Sequence, residues 1–300
     1  MHNYERMDHD SLCRGIGALH EKYPSILTRS VLGHSIGGRE IPLLSLGAAD
    51  SEKSVVYVGA HHGMEYITSA VLMRFAAELC EAAASGASLC GVNISLMLRR
   101  RRICVVPMVN PDGVELHLHG IWEGFPLAER TLAMSGGDFS RWQANARGVD
   151  LNHNYNAGFA EYKAIEEERK ITPGASLYSG VSPESEPESA AVCALLRYDP
   201  SVRTVLSLHT QGEVIYYGGE AAPVGSRSIG RTLSRMTGYA LAEADGTAAY
   251  GGLVDWFVRE FERPAFTLEC GRGENPLPPE DEFMIYARLR EALFCTPYLV

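Results

Sequence analysis

His61, His62 and Glu65 lie within five positions of one another in GAHHGMEYITS (59–69), at the end of the apolar run SVVYVGA (54–60). Imidazole nitrogens and carboxylate oxygens are zinc ligands, and a catalytic zinc takes three of them while keeping a fourth position for water. A histidine and a glutamate three or four residues apart on one turn can supply two ligands. Both His62–Glu65 and His61–Glu65 meet that condition, so spacing leaves the choice open. The third ligand must come from elsewhere, and His209, closing TVLSLHT (204–210), is the candidate. Zinc lowers the pKa of its water to roughly 7. A nearby carboxylate must still take the proton and hand it to a leaving amine. Glu269, in PAFTLEC (264–270), is available for that step. The chain has no HExxH, so a helix carrying two zinc-binding histidines is not expected. His117 and His119 in ELHLHG (115–120) would share one face of a strand, without a carboxylate at a suitable spacing.

Groups so distant in sequence meet only if the intervening elements bring them together. The runs 54–60, 103–109, 204–210 and 264–270 read as buried strands. Between the first two, ITSAVLMRFAAELCEAAASG (67–86) has apolar residues at helical spacing and a terminal glycine. Ser185 and Glu188 stand at capping-box spacing, which predicts a helix start there. Strands alternating with helices imply an α/β domain whose sheet is covered on both faces. Sites in such sheets form where strands end, and His62, Glu65, His209 and Glu269 all fall at strand ends.

The chain has 300 residues, 46% of them hydrophobic, and shows no repeat or long linker. One domain over 1–300 is expected, with entry strands and a packed helix in the first fifty residues. A formal charge of -10 argues against nucleic acid as a partner. LRRRRIC (98–104) reads as a solvated strand entry. MHNYERMDHDSLCRG has no apolar signal-peptide core, and no segment reaches membrane-spanning length. Seven cysteines without a CxxC pair read as reduced thiols. A cytoplasmic protein with no membrane partner is the expectation.

Seven segments, in order, resemble the zinc carboxypeptidase family, most closely its bacterial γ-D-glutamyl-L-diamino acid endopeptidase branch. They are LGHSIGGREIPLLSLG (32–47), YVGAHHGMEYITS (57–69), VVPMVNPDGVE (105–115), ANARGVDLNHNYNAGF (144–159), SPESEPES (182–189), LSLHTQG (206–212) and GGLVDWFVREFERPAFTLECGRGENPLP (251–278). The resemblance implies a three-layer α/β/α sandwich on a mixed, mainly parallel sheet. It places one zinc on His62, Glu65 and His209, selecting His62 over His61. It also makes Glu269, fourteen residues after Asp255, the general acid/base.

The oxyanion donor, typically an arginine, is expected at Arg147, with Arg141 as second choice. Asn152 and His153 stand where the family's exopeptidases carry an Asn-Arg pair. Histidine lacks arginine's permanent charge and two-pronged fork. His153 is therefore expected to contact a polar or carboxylate group of an unusual substrate. Tyr250 is the candidate for the family's mobile tyrosine, although counting back eight from Asp255 reaches Thr247. Arg272, in CGRGENPLP (270–278), is expected to pair with a diamino acid's carboxylate. The implied activity is zinc-dependent hydrolysis of a γ-D-glutamyl–diamino acid (meso-diaminopimelate) bond in a muropeptide-like fragment. The alternatives are a metallocarboxypeptidase acting on other C-termini, an amidohydrolase of acylated amino acids, or an inactive metal-binding scaffold.

Overall fold

Four central parallel strands, rich in β-branched residues, organise the computed structural model, which describes residues 6–300. The first five residues of the expected domain lie outside the described ones. The sheet's eight strands are β1 (Leu27–His34), β2 (Glu40–Leu46), β3 (Ser54–Val58), β4 (Arg102–Val106), β5 (Val202–His209), β6 (Val214–Tyr216), β7 (Ala240–Ala242) and β8 (Ala265–Glu269). Their spatial order is β1-β2-β4-β3-β5-β8-β6-β7. Strands β4, β3, β5 and β8 run parallel. The β1–β2, β2–β4 and β6–β8 pairs are antiparallel, so the sheet is mixed and mainly parallel.

Strand β3 shows why the layers form. All five of its residues are buried, and alternate side chains must point to opposite faces. Val55 and Tyr57 pack with Leu72, Phe75 and Phe294 from the helices Ile67–Ser85 and Glu282–Leu299. Val56 and Val58 pack with Val192, Trp256 and Phe257 from the helices Pro187–Tyr198 and Leu253–Phe261. A strand apolar on both faces thus requires helices on both sides, and the α/β/α sandwich follows. Among the described residues, no helix is long and apolar enough to cross a membrane. All seven cysteines are free thiols.

The helix Ile67–Ser85 ends at Gly86, which adopts φ 69°, the left-handed stop that glycine accepts without strain. Two sequence expectations are corrected. The capping box at Ser185 and Glu188 does not form: Pro187 occupies the first turn, Glu186 is the N-cap, and no side chain caps it. His117 and His119 lie on the helix Pro111–His119, not on a strand, because Asn110 and Pro111 start a helix there.

Glu188 is instead fully buried, accepting from the Ile36 N–H at 3.3 Å and the Asn145 amide at 3.2 Å. Burial, with Asp112 and Glu186 nearby, pushes its carboxyl up to about 8. An unfolded glutamate titrates near about 4.3, so between these values the native state binds the extra proton. This contribution to stability is fully present below the unfolded value and is lost as pH rises towards about 8. Glu188→Gln should therefore flatten the fall in melting temperature between about pH 5 and 8. Parallel melting curves for the two proteins across that range would show the assignment to be wrong.

Candidate active site

The carboxyl ends of the central strands meet at one edge of the sheet. Beyond β3 the backbone keeps pairing, with Gly59 N–H donating to Val106 and Asn110 N–H donating to Ala60. A single 3₁₀ turn, Gly63–Glu65, then sets Glu65 beside His62. Gly63 is required there, since a Cβ would stand 2.2 Å from the Gly113 carbonyl oxygen. Thr68 ties the turn at both ends, donating to the Glu65 carbonyl and accepting from Ala60 N–H, each at 2.8 Å.

The ligand atoms of His62, Glu65 and His209 all lie within 4.8 Å of one another. His62 Nδ1 is 2.9 Å from Glu65 Oε1, and His209 Nδ1 is 3.1 Å from Oε2. The far nitrogens have their own partners: His62 Nε2 lies 3.2 Å from Asp150 Oδ1, and His209 Nε2 lies 3.2 Å from Ser207 Oγ. A carboxylate only accepts, so His62 Nε2–H donates to Asp150. The Nδ1 lone pair of the neutral ring then faces a second carboxylate. Two acceptors so close need a cation between them, either a proton or a metal. Burial pulls the His62 pKa down, but Glu65 and Asp150 outweigh it and hold the ring well above its ordinary value. Two imidazoles and one carboxylate, with partners orienting the imidazoles, form a donor set that fits zinc.

His61 is not part of this group. Its Nε2 lies 2.9 Å from the Tyr155 hydroxyl in the core, and burial drives its pKa well below the usual value. The other carboxylate–histidine group, Asp8, Glu115 and His119, is already engaged. Asp8 caps a helix through Ser11, and Glu115 accepts from His9 N–H. The helix created this group by setting Glu115 one turn from His119, a pairing that the strand reading missed.

Beside the His–Glu–His group lies a cavity of ≈ 250 Å³ lined in part by Gln143, Asn152, His153, Tyr216, Asp255 and Glu269. Glu269 is in register with His209 across the β5–β8 pair, so the two side chains share one height on the sheet. Burial raises the Glu269 carboxyl above its usual range, with His209 opposing and Glu65 adding to the shift. Such a carboxyl can both take and return a proton near neutral pH.

Asn152 and His153 belong to a 3₁₀ turn whose N-cap, Asp150, is the acid on His62. Asn152 Oδ1 accepts from Leu253 N–H at 3.2 Å. His153 Nδ1 lies 2.8 Å from the Tyr250 carbonyl oxygen and must donate to it. The ring stacks on Tyr162 at 4.2 Å. In the neutral ring, Nε2 is therefore an acceptor, suited to an N–H or O–H group.

Four other expected residues lie elsewhere. Arg147 is the tip of a turn in which Asn145 Oδ1 accepts from both Arg147 N–H and Val149 N–H. Its side chain is 44% exposed and leans towards Glu186. Arg141 pairs with Glu274 and Arg272 with Glu213, and both are well exposed. None of the three arginines lines the cavity, nor does any lysine or other arginine among the described lining residues. The Tyr250 ring packs over Gly158, where an added Cβ would stand 2.6 Å from its Cδ1, and Thr247 and Tyr216 line the cavity instead. Tyr216 and Gln143 carried no signal in the sequence beyond their neighbours.

The sequence pattern of zinc carboxypeptidases matches residues 13–290. A γ-D-glutamyl-L-diamino acid endopeptidase of Lysinibacillus sphaericus is 32% identical over 94% of this chain and 70% of its own length. An uncharacterized protein of Bacillus subtilis is 31% identical over 93% of this chain and 74% of its own. Bovine thrombin-activatable fibrinolysis inhibitor shares the fold, with a TM-score of 0.71, 19% identity, and coverage of 98% of this chain and 96% of that one.

Chelation of the purified protein should lower its melting temperature, and stoichiometric zinc should restore it by binding only the native state. His209→Ala should show neither change. A melting temperature indifferent to zinc in the unsubstituted protein would count against the site.

Proposed function

Because this chain belongs to the zinc carboxypeptidase family and is a zinc-dependent metallopeptidase, we propose that it hydrolyses γ-D-glutamyl–diamino acid bonds. The substrates in this reading are small peptidoglycan-derived peptides, with meso-diaminopimelate as the diamino acid. The observation that carries this reading is the 32% identity, over 94% of this chain, to the γ-D-glutamyl-L-diamino acid endopeptidase of Lysinibacillus sphaericus.

Bound zinc supplies a Lewis acid that polarises the scissile carbonyl and makes water acidic enough to react near neutral pH. Asp150 and Ser207 hold the two imidazoles in orientation. Glu269 accepts the attacking water's proton and delivers it to the departing nitrogen. Asn152 and His153, on the wall formed by the 150–153 turn, position polar groups of the substrate.

Incubated with L-Ala-γ-D-Glu-meso-diaminopimelate, the zinc-loaded protein should release free diaminopimelate, detected by chromatography. Cleavage of ordinary C-terminal peptides while this tripeptide stays intact would overturn the substrate. Glu269→Gln should lower kcat by about 10²–10⁴-fold with zinc content unchanged. Retained turnover would remove Glu269 from its role. His153→Ala should raise KM with little change in kcat, and an unaltered KM would remove His153 from the binding wall.

A further inference from the structure

The attacked carbonyl becomes a tetrahedral centre whose oxygen carries a full negative charge, and that charge needs a donor from the protein. No arginine among the described residues lines the cavity, so the donor must come from a neutral group. Gln143 meets the requirement in three ways.

First, it lines the same cavity as His62, His209 and Glu269. Second, its backbone is fastened to the metal-binding turn itself. The Gln143 carbonyl accepts from Gly63 N–H at 2.9 Å and from the Asn110 amide at 3.1 Å, while Gln143 N–H donates to the Ala175 carbonyl at 2.9 Å. Next to it, the Trp142 carbonyl accepts from Met64 N–H at 2.9 Å. A side chain anchored so close to His62 and Glu65 needs little reorganisation to reach an oxygen beside them. Third, its carboxamide makes no hydrogen bond to any described residue, so its N–H donors are uncommitted.

We propose that the Gln143 carboxamide donates a hydrogen bond to the oxyanion formed when the scissile amide carbonyl is attacked. The substrate in this proposal rests on the reading above. No proton changes hands at Gln143. The carbonyl π electrons move onto oxygen as the new C–O bond forms, and Gln143 holds that oxygen by N–H donation until the C–N bond breaks. A charged fork is thereby replaced by a neutral donor, in keeping with a cavity whose wall has no lysine or arginine.

The test measures kcat and KM separately for Gln143→Ala, Gln143→Glu and Gln143→Arg on the tripeptide L-Ala-γ-D-Glu-meso-diaminopimelate, with zinc content measured for each. Gln143→Ala should lose about 10²–10³-fold in kcat while KM stays within about threefold. Gln143→Glu, of equal size but without a donor, should lose at least as much. Gln143→Arg should recover at least about a tenth of the wild-type kcat, a rescue that a merely structural role would not give. If the alanine variant loses zinc or fails to fold, the isosteric glutamate variant decides. A Gln143→Glu protein with kcat within about threefold of wild type overturns the proposal. So does a fall in Arg147→Ala or Arg141→Ala that matches the fall in Gln143→Ala. Failure of the substrate reading looks different: the wild type leaves the tripeptide intact, and the same series is then measured on benzoylglycyl-lysine. A wild type that cleaves neither amide overturns both.

Discussion

Glu65 sits between two imidazole nitrogens, at 2.9 Å and 3.1 Å, with almost no access to water. Each contact sets an acceptor against a nitrogen whose ring is held from its far side. Removing three such groups from solvent costs far more than one hydrogen bond returns. A cation among them, the proton on His62 or a metal held by all three, makes the burial favourable. The surrounding architecture answers to that constraint. Asp150 fixes one ring, Ser207 faces the other, Thr68 braces the turn, and Gly63 permits its close approach to Gly113.

The constraint explains why the site lies at this edge of the sheet. Parallel strands all end at one side, so β3, β5 and β8 can each bring one chemical group to the same place without sharing a loop. The register between β5 and β8 sets Glu269 directly opposite His209. A one-residue slip would turn Glu269 to the other face. The buried packing of Phe266 and Leu268 holds that register.

The parts of the site legible in the sequence are those that sit on this scaffold. SVVYV, TVLSLH and AFTLE announce themselves through apolar runs, so the positions of His62, His209 and Glu269 follow from strand ends alone. That His62, rather than His61, joins the His–Glu–His group was not legible from spacing. That choice depends on which ring turns towards Tyr155, a packing outcome. Arg147, Tyr250 and Arg272 do not line the cavity; they lie in loops, where neighbouring side chains decide direction. An Asx turn at Asn145 carries Arg147 outward, and Glu213 holds Arg272 at the surface. Gln143 escaped notice because an isolated glutamine has no spacing to recognise; only its backbone bonds to Gly63 and Ala175 reveal where it points.

Charge sets the last boundary on what this cavity can bind. Zinc would bring two positive charges, and Glu65 together with Asp150 offsets them. Asp255, pushed up to about 6 by burial, and Glu269 share the wall with no fixed cation among the described lining residues. An anion entering this space finds no permanent charge beyond the metal to draw it in. Discrimination must come from hydrogen-bond donors and acceptors at fixed positions. A misplaced donor leaves a buried polar group unpaired, which is the stronger basis for rejecting a near-miss substrate. The Asn152 amide, the His153 ring and the Tyr216 hydroxyl are polar groups on this wall that can supply such contacts.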